Sequence, residues 1–309
     1  MSVPPITLPY FRPGDLPAPL PTLAEIQENF DPELSPRRNG LGSTGGFSLI
    51  RNTYAVKFGS DVSENEGYAL LFAEQNLSIP TPRLYAMYRE PLTDNLYLVM
   101  DLVRGVTLES IWSTLTTESK SSIATQLREM FSFMRMLSPP QAFIGGISGG
   151  RIPSPVFSTF KPDPDINGPF KTTEEVGRAM ARASQDVWSN FRQQSWESEY
   201  FSRHLATALK DHAVKFTHGD LHMRNIMVDK VQDGPNSPAQ TEEESAWKVT
   251  GIIDWEAAGW YPAYWEYASA MARAQSEHDW PERLDTILEP YPLEYSIFVL
   301  LLYNMQLIF

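Results

Sequence analysis

The sequence predicts an α+β fold, and three observations carry the prediction. Short apolar, β-branched runs of strand length recur in both halves of the chain. Segments with a helical repeat of apolar residues lie between them. At 309 residues and 42% hydrophobic content, the chain can bury a substantial core in one large or two moderate domains.

In chain order, residues 1 to about 20 carry Pro4, Pro5, Pro9, Pro13 and Pro17 without a basic-then-apolar segment, so they read as a strap or tail and not as a signal peptide. A glycine-rich turn at Gly42-Ser43-Thr44-Gly45-Gly46 precedes a strand at Thr53–Gly59. A helix follows from Ser63 to Gln75, with Ser63 and Glu66 spaced as a capping box and Leu70, Leu71 and Ala73 on the apolar side. Leu96 to Val103 is an apolar strand that runs to Gly105. Thr117 to Leu137 repeats as a helix, with Ile123, Leu127, Met130, Phe131 and Met134 on one face as core. Residues 139–170 are too rich in Pro and Gly for a long helix, and a second helical pattern runs from Thr173 towards Phe191. Val214–Thr217, Ile226–Val228 and Lys248–Ile253 read as strands, and Asp229 to Ala246 as an exposed acidic hairpin loop. The apolar run Tyr295–Phe309 has 15 residues and includes Asn304 and Gln306, whereas a membrane span needs about 20 apolar residues, so a buried terminal helix is expected. No polar tail follows that run, which is compatible with a truncated end.

The chemistry is concentrated in two motifs. His218-Gly219-Asp220-Leu221-His222-Met223-Arg224-Asn225 and Ile252-Ile253-Asp254-Trp255-Glu256 offer two carboxylates and an amide in the order used by a phosphoryl-transfer site. A hydroxyl that is to be phosphorylated needs a carboxylate to orient it and take its proton, and the phosphates of ATP need Mg²⁺, which prefers oxygen ligands. In the protein-kinase loop H-R-D-x-x-x-x-N the metal-binding Asn follows the Asp by five positions, and 225 − 220 = 5 reproduces that spacing. Asp220 is then the base, and Asn225 and Asp254 are the metal ligands, Asp254 lying 254 − 220 = 34 residues further on. Asp residues at strand ends are ordinarily turn and cap residues; the Asn at the right offset tips the reading towards catalysis. His218 and His222 have no glutamate between them of the kind a zinc site uses, and their expected task is to hold the loop by hydrogen bonds. His204, His212 and His278 are expected to be exposed.

From Gly42 to Ala272 the chain resembles the aminoglycoside phosphotransferase and choline kinase-like family, whose hallmarks are H-G-D-L-H-x-x-N followed by I-I-D-W-E. The resemblance implies a bilobal, protein-kinase-like fold with a small β-rich N-lobe (41–104), a larger mainly helical C-lobe (105–309) and a preceding Pro-rich strap (1–40). ATP would bind between the lobes, and a small-molecule hydroxyl or amine would accept the phosphoryl group. Thr53–Gly59 then resembles the V-A-I-K strand, placing Lys57 at the α- and β-phosphates, with Glu66 as its ion-pair partner and Glu64 as the alternative. The glycines at 42–46, Gly45 and Gly46 among them, either cover the phosphates or form a hairpin turn. Backbone groups from Asp101 to Val103 would hydrogen-bond adenine. Residues 139–191 would shape the acceptor pocket. Where bacterial members carry Gly-Asp-Pro and Asp-Leu-Ala, this chain has Gly259-Trp260-Tyr261-Pro262-Ala263-Tyr264-Trp265-Glu266-Tyr267-Ala268, which resembles a branch common in filamentous fungi and argues against antibiotic resistance. Those aromatic residues either pack or stack on the acceptor, with packing the commoner role.

Composition narrows the partners. A net charge of −13 disfavours nucleic acid and would suit a cationic acceptor. Without cysteine there is no disulfide, thiolate metal site or cysteine nucleophile, as befits a cytoplasmic protein. An ATP- and Mg²⁺-dependent small-molecule kinase is the leading expectation. A kinase-fold nucleotide sensor or scaffold without turnover is the alternative, and a protein kinase is disfavoured by the lack of D-F-G and A-P-E.

Overall fold

A computed structural model describes residues 7–14, 16–32, 45–139, 142–159, 161–231, 246–274 and 279–307. Five antiparallel strands, β1 (Tyr10–Phe11), β2 (Gly46–Ile50), β3 (Tyr54–Gly59), β4 (Leu84–Arg89) and β5 (Leu96–Asp101), form one sheet in the order β1-β4-β5-β3-β2. Period-two alternation along β3 and β5 gives that sheet two buried faces. Tyr54, Val56, Tyr97 and Val99 join Ile26, Ile50 and Tyr85 in one cluster, while Ala55, Leu96, Leu98 and Met100 join Ala69, Leu70, Leu71 and Phe72 in the other. The helix α1 (Leu23–Glu28) covers the first face and α2 (Glu64–Asn76) the second.

The described part of the segment expected to be a strap, 7–14 and 16–32, is therefore built into the lobe. Tyr10 and Phe11 pair with Met87 and Ala86 as an edge strand, Ile26 is fully buried, and Arg51 pairs with Glu25 of α1. A two-residue strand leaves no alternation to read, and the prolines around it mask the order.

The second lobe runs β6 (Val106–Thr107), α3 (Leu108–Ile111), α4 (Thr117–Met134), β7 (Gly145–Gly146), α5 (Pro164–Asn167), α6 (Thr173–Asn190), α7 (Trp196–Ala208), β8 (Val214–Thr217), β9 (Ile226–Lys230), β10 (Trp247–Ile252), β11 (Gly259–Pro262), α8 (Trp265–Arg273), α9 (Trp280–Ile287) and α10 (Pro292–Asn304). Two small sheets, β10-β9-β6 and β7-β11-β8, hold the 218–225 loop between them. Thr172 and Glu175 form a full capping box that fixes the start of α6. α7 is not announced by its sequence. Only Ser198, Phe201 and Leu205 are buried on it, while Trp196 is 71% exposed and Tyr200 48%, so its apolar residues point both ways and blur the helical repeat.

Burial decides between the two roles left open for the aromatic cluster. Trp260, Tyr261, Tyr264, Trp265 and Tyr267 are all at most 5% exposed, and they are core. α10 is buried on one side only: Phe298, Leu301 and Leu302 face the core, while Leu293, Leu300 and Tyr303 lie in solvent. Among the described residues no helix is long and apolar enough to cross a membrane. His204 is exposed as expected. His212 is not, because its ring packs on Tyr264 and Tyr291 and lies 3.3 Å from Glu294. His278, residues 42–44 and most of the acidic hairpin loop (232–245) fall outside the described residues; β9 and β10, which that loop joins, do pair antiparallel.

Candidate active site

The 218–225 loop takes its shape from hydrogen bonds that leave few alternatives. Gly219 sits at φ +82°, and a Cβ there would come within 2.7 Å of the Ala257 carbonyl oxygen, so both its conformation and its surroundings require glycine. The buried carboxylate of Glu266, in the first turn of α8, accepts the N–H groups of His218 (2.6 Å) and Gly219 (3.2 Å). Arg135, at the end of α4, donates to Thr217 Oγ1 (2.9 Å) and to the carbonyl of Ala263. Burial raises the carboxyl of Glu266 and lowers the guanidinium of Arg135, each opposed in part by the charge of the other. His218, fully buried, accepts the Asp220 N–H on Nδ1 (3.2 Å) and places Nε2 3.0 Å from the Ile253 carbonyl. An Nε2–H tautomer satisfies both bonds and ties Asp220 to the residue before Asp254.

Asp220 lies at the centre of this web. Asn225 Nδ2 donates to its carbonyl (2.9 Å) and to Oδ2 (3.0 Å), His222 Nε2 is 3.4 Å from Oδ2, and Arg273 Nε at the end of α8 is 3.0 Å from Oδ1. Burial works to raise its carboxyl, but the His222 hydrogen bond and the Arg273 charge win and hold it well below the usual carboxylate range. Asp220 is an ionised, firmly placed acceptor.

Across the cleft, Lys57 Nζ lies 2.8 Å from both carboxylate oxygens of Glu66 and 2.6 Å from Asp254 Oδ1. Glu64 pairs instead with Arg89 at 2.8 Å. The predicted capping box does not form, because the Glu66 carboxylate is committed to Lys57; Ser63 caps α2 alone, through the Asn65 N–H. Asp254 adopts a left-handed conformation (φ 65°, ψ 62°), a strained choice for a non-glycine residue, at the start of a 3₁₀ turn over Trp255–Ala257. Trp255 anchors that turn, with no exposure and its Nε1–H on the Ile252 carbonyl. Asn65 ties the turn to α2 by donating to the carbonyls of Glu256 and Ala258 and accepting from Ile147 N.

Glu66, Asp254 and Glu256 bring carboxylate oxygens within 4.8 Å of one another around the single ammonium of Lys57. Such a surplus of hard oxygen donors fits Mg²⁺. Burial, against the pull of Lys57 and with help from Asp254 and Glu256, pushes Glu66 up to about 7. The folded protein thus binds a proton on Glu66 that the unfolded chain releases near pH 4.5, so this contribution is full below pH 4.5 and is lost as pH rises through about 7. With no metal added, wild-type stability in urea should fall between pH 5 and 8 relative to Glu66→Gln by on the order of 3 kcal/mol, since each pH unit between the folded and unfolded titrations is worth about 1.4 kcal/mol. Parallel pH dependences for the two proteins would refute this.

Other expected contacts are arranged differently. Asp101 donates its N–H to the Arg83 carbonyl, its carboxylate accepts from the Arg83 N–H (3.0 Å) and the Tyr85 O–H (2.7 Å), and the Leu102 N–H donates to the Thr53 carbonyl. Asp101 therefore braces the N-lobe, and of the Asp101–Val103 segment only Val103 has no internal backbone bond among the described residues. Gly46 is buried within β2, where the Phe58 ring occupies the space that a Cβ would need (2.3 Å), so packing explains this glycine. Gly45 stands just before the strand, partly buried. Glu256, Asn65, Glu266 and Arg273 belong to the site although the sequence alone assigns them no role. Glu256 at least stands in the second motif, whereas Arg273 is delivered by a helix whose packing no local pattern reveals.

The sequence profile of the phosphotransferase enzyme family matches residues 59–293. No curated protein sequence matches the chain. Solved structures similar to it include a thermostable mutant of aminoglycoside phosphotransferase APH(4)-Ia in ternary complex with ADP and hygromycin B (14% identity, 89% of this chain and 86% of that one, TM-score 0.54). Two others are macrolide 2'-phosphotransferase MphH from Brachybacterium faecium (14%, 90% and 87%, 0.50) and the streptomycin–ATP complex of APH(2")-IIa (13%, 87% and 79%, 0.51). At these identities the likeness is one of fold, a protein-kinase-like α+β arrangement.

Proposed function

Because the chain belongs to the phosphotransferase enzyme family, we propose that it transfers the γ-phosphoryl group of ATP to a hydroxyl of a small molecule. The observation that carries this reading is the bridge from Lys57 to both Glu66 and Asp254, which joins the two lobes at the point where the 218–225 loop presents Asp220.

Each residue has a task in that reaction. Lys57, held charged by Glu66 and Asp254 against its own burial, binds the α- and β-phosphates. The Val103 N–H is the group left to receive adenine. Asp254 and Asn225, with Glu256 beside them, would hold Mg²⁺, which neutralises phosphate charge when bound. Asp220 accepts the hydrogen bond of the acceptor O–H and aims its oxygen at the γ-phosphorus. The new O–P bond forms as the bond from that phosphorus to the bridging oxygen breaks, ADP leaves with the electron pair, and the hydroxyl proton passes to Asp220. A carboxylate so acidic is a weak base, yet a loose transition state needs the proton only late, so orientation is the larger contribution. The lobes divide near residue 104, and residues 139–191 with α8 and α10 frame the acceptor side.

The test is Mg²⁺-dependent ATP consumption against a panel of alcohols, amino alcohols, sugars and aminoglycosides. Turnover with at least one acceptor is expected, together with its phosphorylated product. Binding of Mg²⁺–ATP with no transfer to any acceptor would replace the enzyme by a nucleotide sensor, and loss of both would remove the nucleotide site.

A further inference from the structure

Beside Asp220 a cleft opens between the 153–156 loop, α8 and α10. Gly219 and Ala257 belong to its wall, and Val156, Trp265, Phe298 and Leu302 give it an apolar lining. Among the described residues Arg273 is the one charged side chain on that wall, and it lies 3.0 Å from Asp220. The pair leaves the reacting end of the cleft close to neutral.

None of the described residues of this lining recognises a cation. A pocket for an ammonium group supplies carboxylates or an open aromatic face. Among the described residues the lining carries no carboxylate, and Trp265 is 1% exposed, stacked with Phe157 (5.5 Å) and Tyr261 (5.1 Å) and met edge-on by Phe298. An ammonium placed here would lose water, face Arg273 and gain no partner. The net charge of −13 is therefore a property of the rest of the surface and not of this cleft.

We propose that the acceptor is a neutral alcohol with an apolar body, and that Arg273 is the specificity-determining residue that turns cationic acceptors away; this rests on the phosphotransferase reading above. The hydroxyl meets Asp220, and the hydrocarbon lies against Pro153, Pro155, Ala272 and Val299, apolar residues of the lining that keep exposed surface. Each methylene buried there strengthens binding by about fourfold.

Hexanol and ω-aminohexanol isolate the charge. Their binding to the full chain with Mg²⁺ and ADP is read by ligand-observed NMR, and their phosphorylation with labelled ATP, both at neutral pH. Hexanol should bind at least about tenfold more tightly than its amino derivative, and more tightly than butanol. Arg273→Gln, the milder replacement, should remove most of the discrimination by leaving the Asp220 charge unopposed on that side, and Arg273→Glu should reverse it. Equal or tighter binding of the amine to the wild type, no binding of either alcohol, or discrimination unchanged in Arg273→Gln would overturn the proposal. Preferential hexanol binding without transfer to either alcohol or to any acceptor of the wider panel would count against the phosphotransferase reading and leave the cleft assignment standing. Transfer that favours the amine would do the opposite.

Discussion

Asp220→Asn should lower kcat for phosphoryl transfer by about 10²–10⁴-fold, the range a positioned proton acceptor contributes, while ATP affinity changes little. The substitution is nearly isosteric, and the loop around it is held by groups other than the carboxylate: Glu266 on the N–H groups of His218 and Gly219, and Asn225 on the Asp220 carbonyl. What is lost is the charge that orients the acceptor hydroxyl and the site that takes its proton. Single-turnover phosphorylation measured beside calorimetric nucleotide binding separates these effects, and transfer at near wild-type rate would remove Asp220 from the reaction. The depressed carboxyl also fixes a pH dependence. Its ionised form persists until pH falls through the low folded-state value, so protonation of Asp220 should produce no acid limb in kcat between about pH 5 and 8. A limb in that window that disappears in the Asp220→Asn residual activity would contradict the geometry of His222 and Arg273.

The parts of the site that are legible in the sequence are those whose spacing is local. Asp220 and Asn225 lie on one loop and Asp254 ends the next hairpin, so chain connectivity alone places them near one another. Lys57 and Glu66 are legible as a strand residue and a first-turn helix residue nine positions apart. Gly46 and Asp101 resemble nucleotide contacts because of their neighbours in sequence, yet their roles are set by neighbours in space, the Phe58 ring and the Tyr85 hydroxyl. Arg273 shows the same limit from the other side. It reaches Asp220 because α8 packs between α9 and α10, and a basic residue in the last turn of a helix otherwise signals only a favourable interaction with the helix dipole. Net charge averages over a surface, whereas an acceptor meets a few side chains, so the acidic composition by itself does not fix the charge of the acceptor.

Glu266→Ala should destabilise the fold by about 2–6 kcal/mol, since it leaves two backbone N–H groups unsatisfied at about 1–3 kcal/mol each. Its carboxylate is 1% exposed and accepts two backbone N–H groups of the loop, and its charge favours that of the half-buried Arg135. Alanine strands all three. Glu266→Gln keeps an oxygen for one of the N–H groups but not the charge, so it should recover part of the loss. Arg135→Ala should be costly in turn, because it strips the hydrogen bond from Thr217 Oγ1 and removes a positive charge that favours the ionised, buried Glu266. The double variant should cost less than the sum of the two single ones, since each single change leaves an uncompensated charge that the other removes. Urea unfolding of the four proteins measures these terms. Strict additivity, or a Glu266→Ala cost below about 1 kcal/mol, the net value of a single ordinary hydrogen bond, would mean that the loop is held by His218 and Asn225 alone. If Glu266 does hold it, Glu266→Gln should also lower kcat without touching the acceptor, because the N–H groups that Glu266 fixes belong to the two residues just before Asp220 and a displacement there is carried to the reacting oxygen.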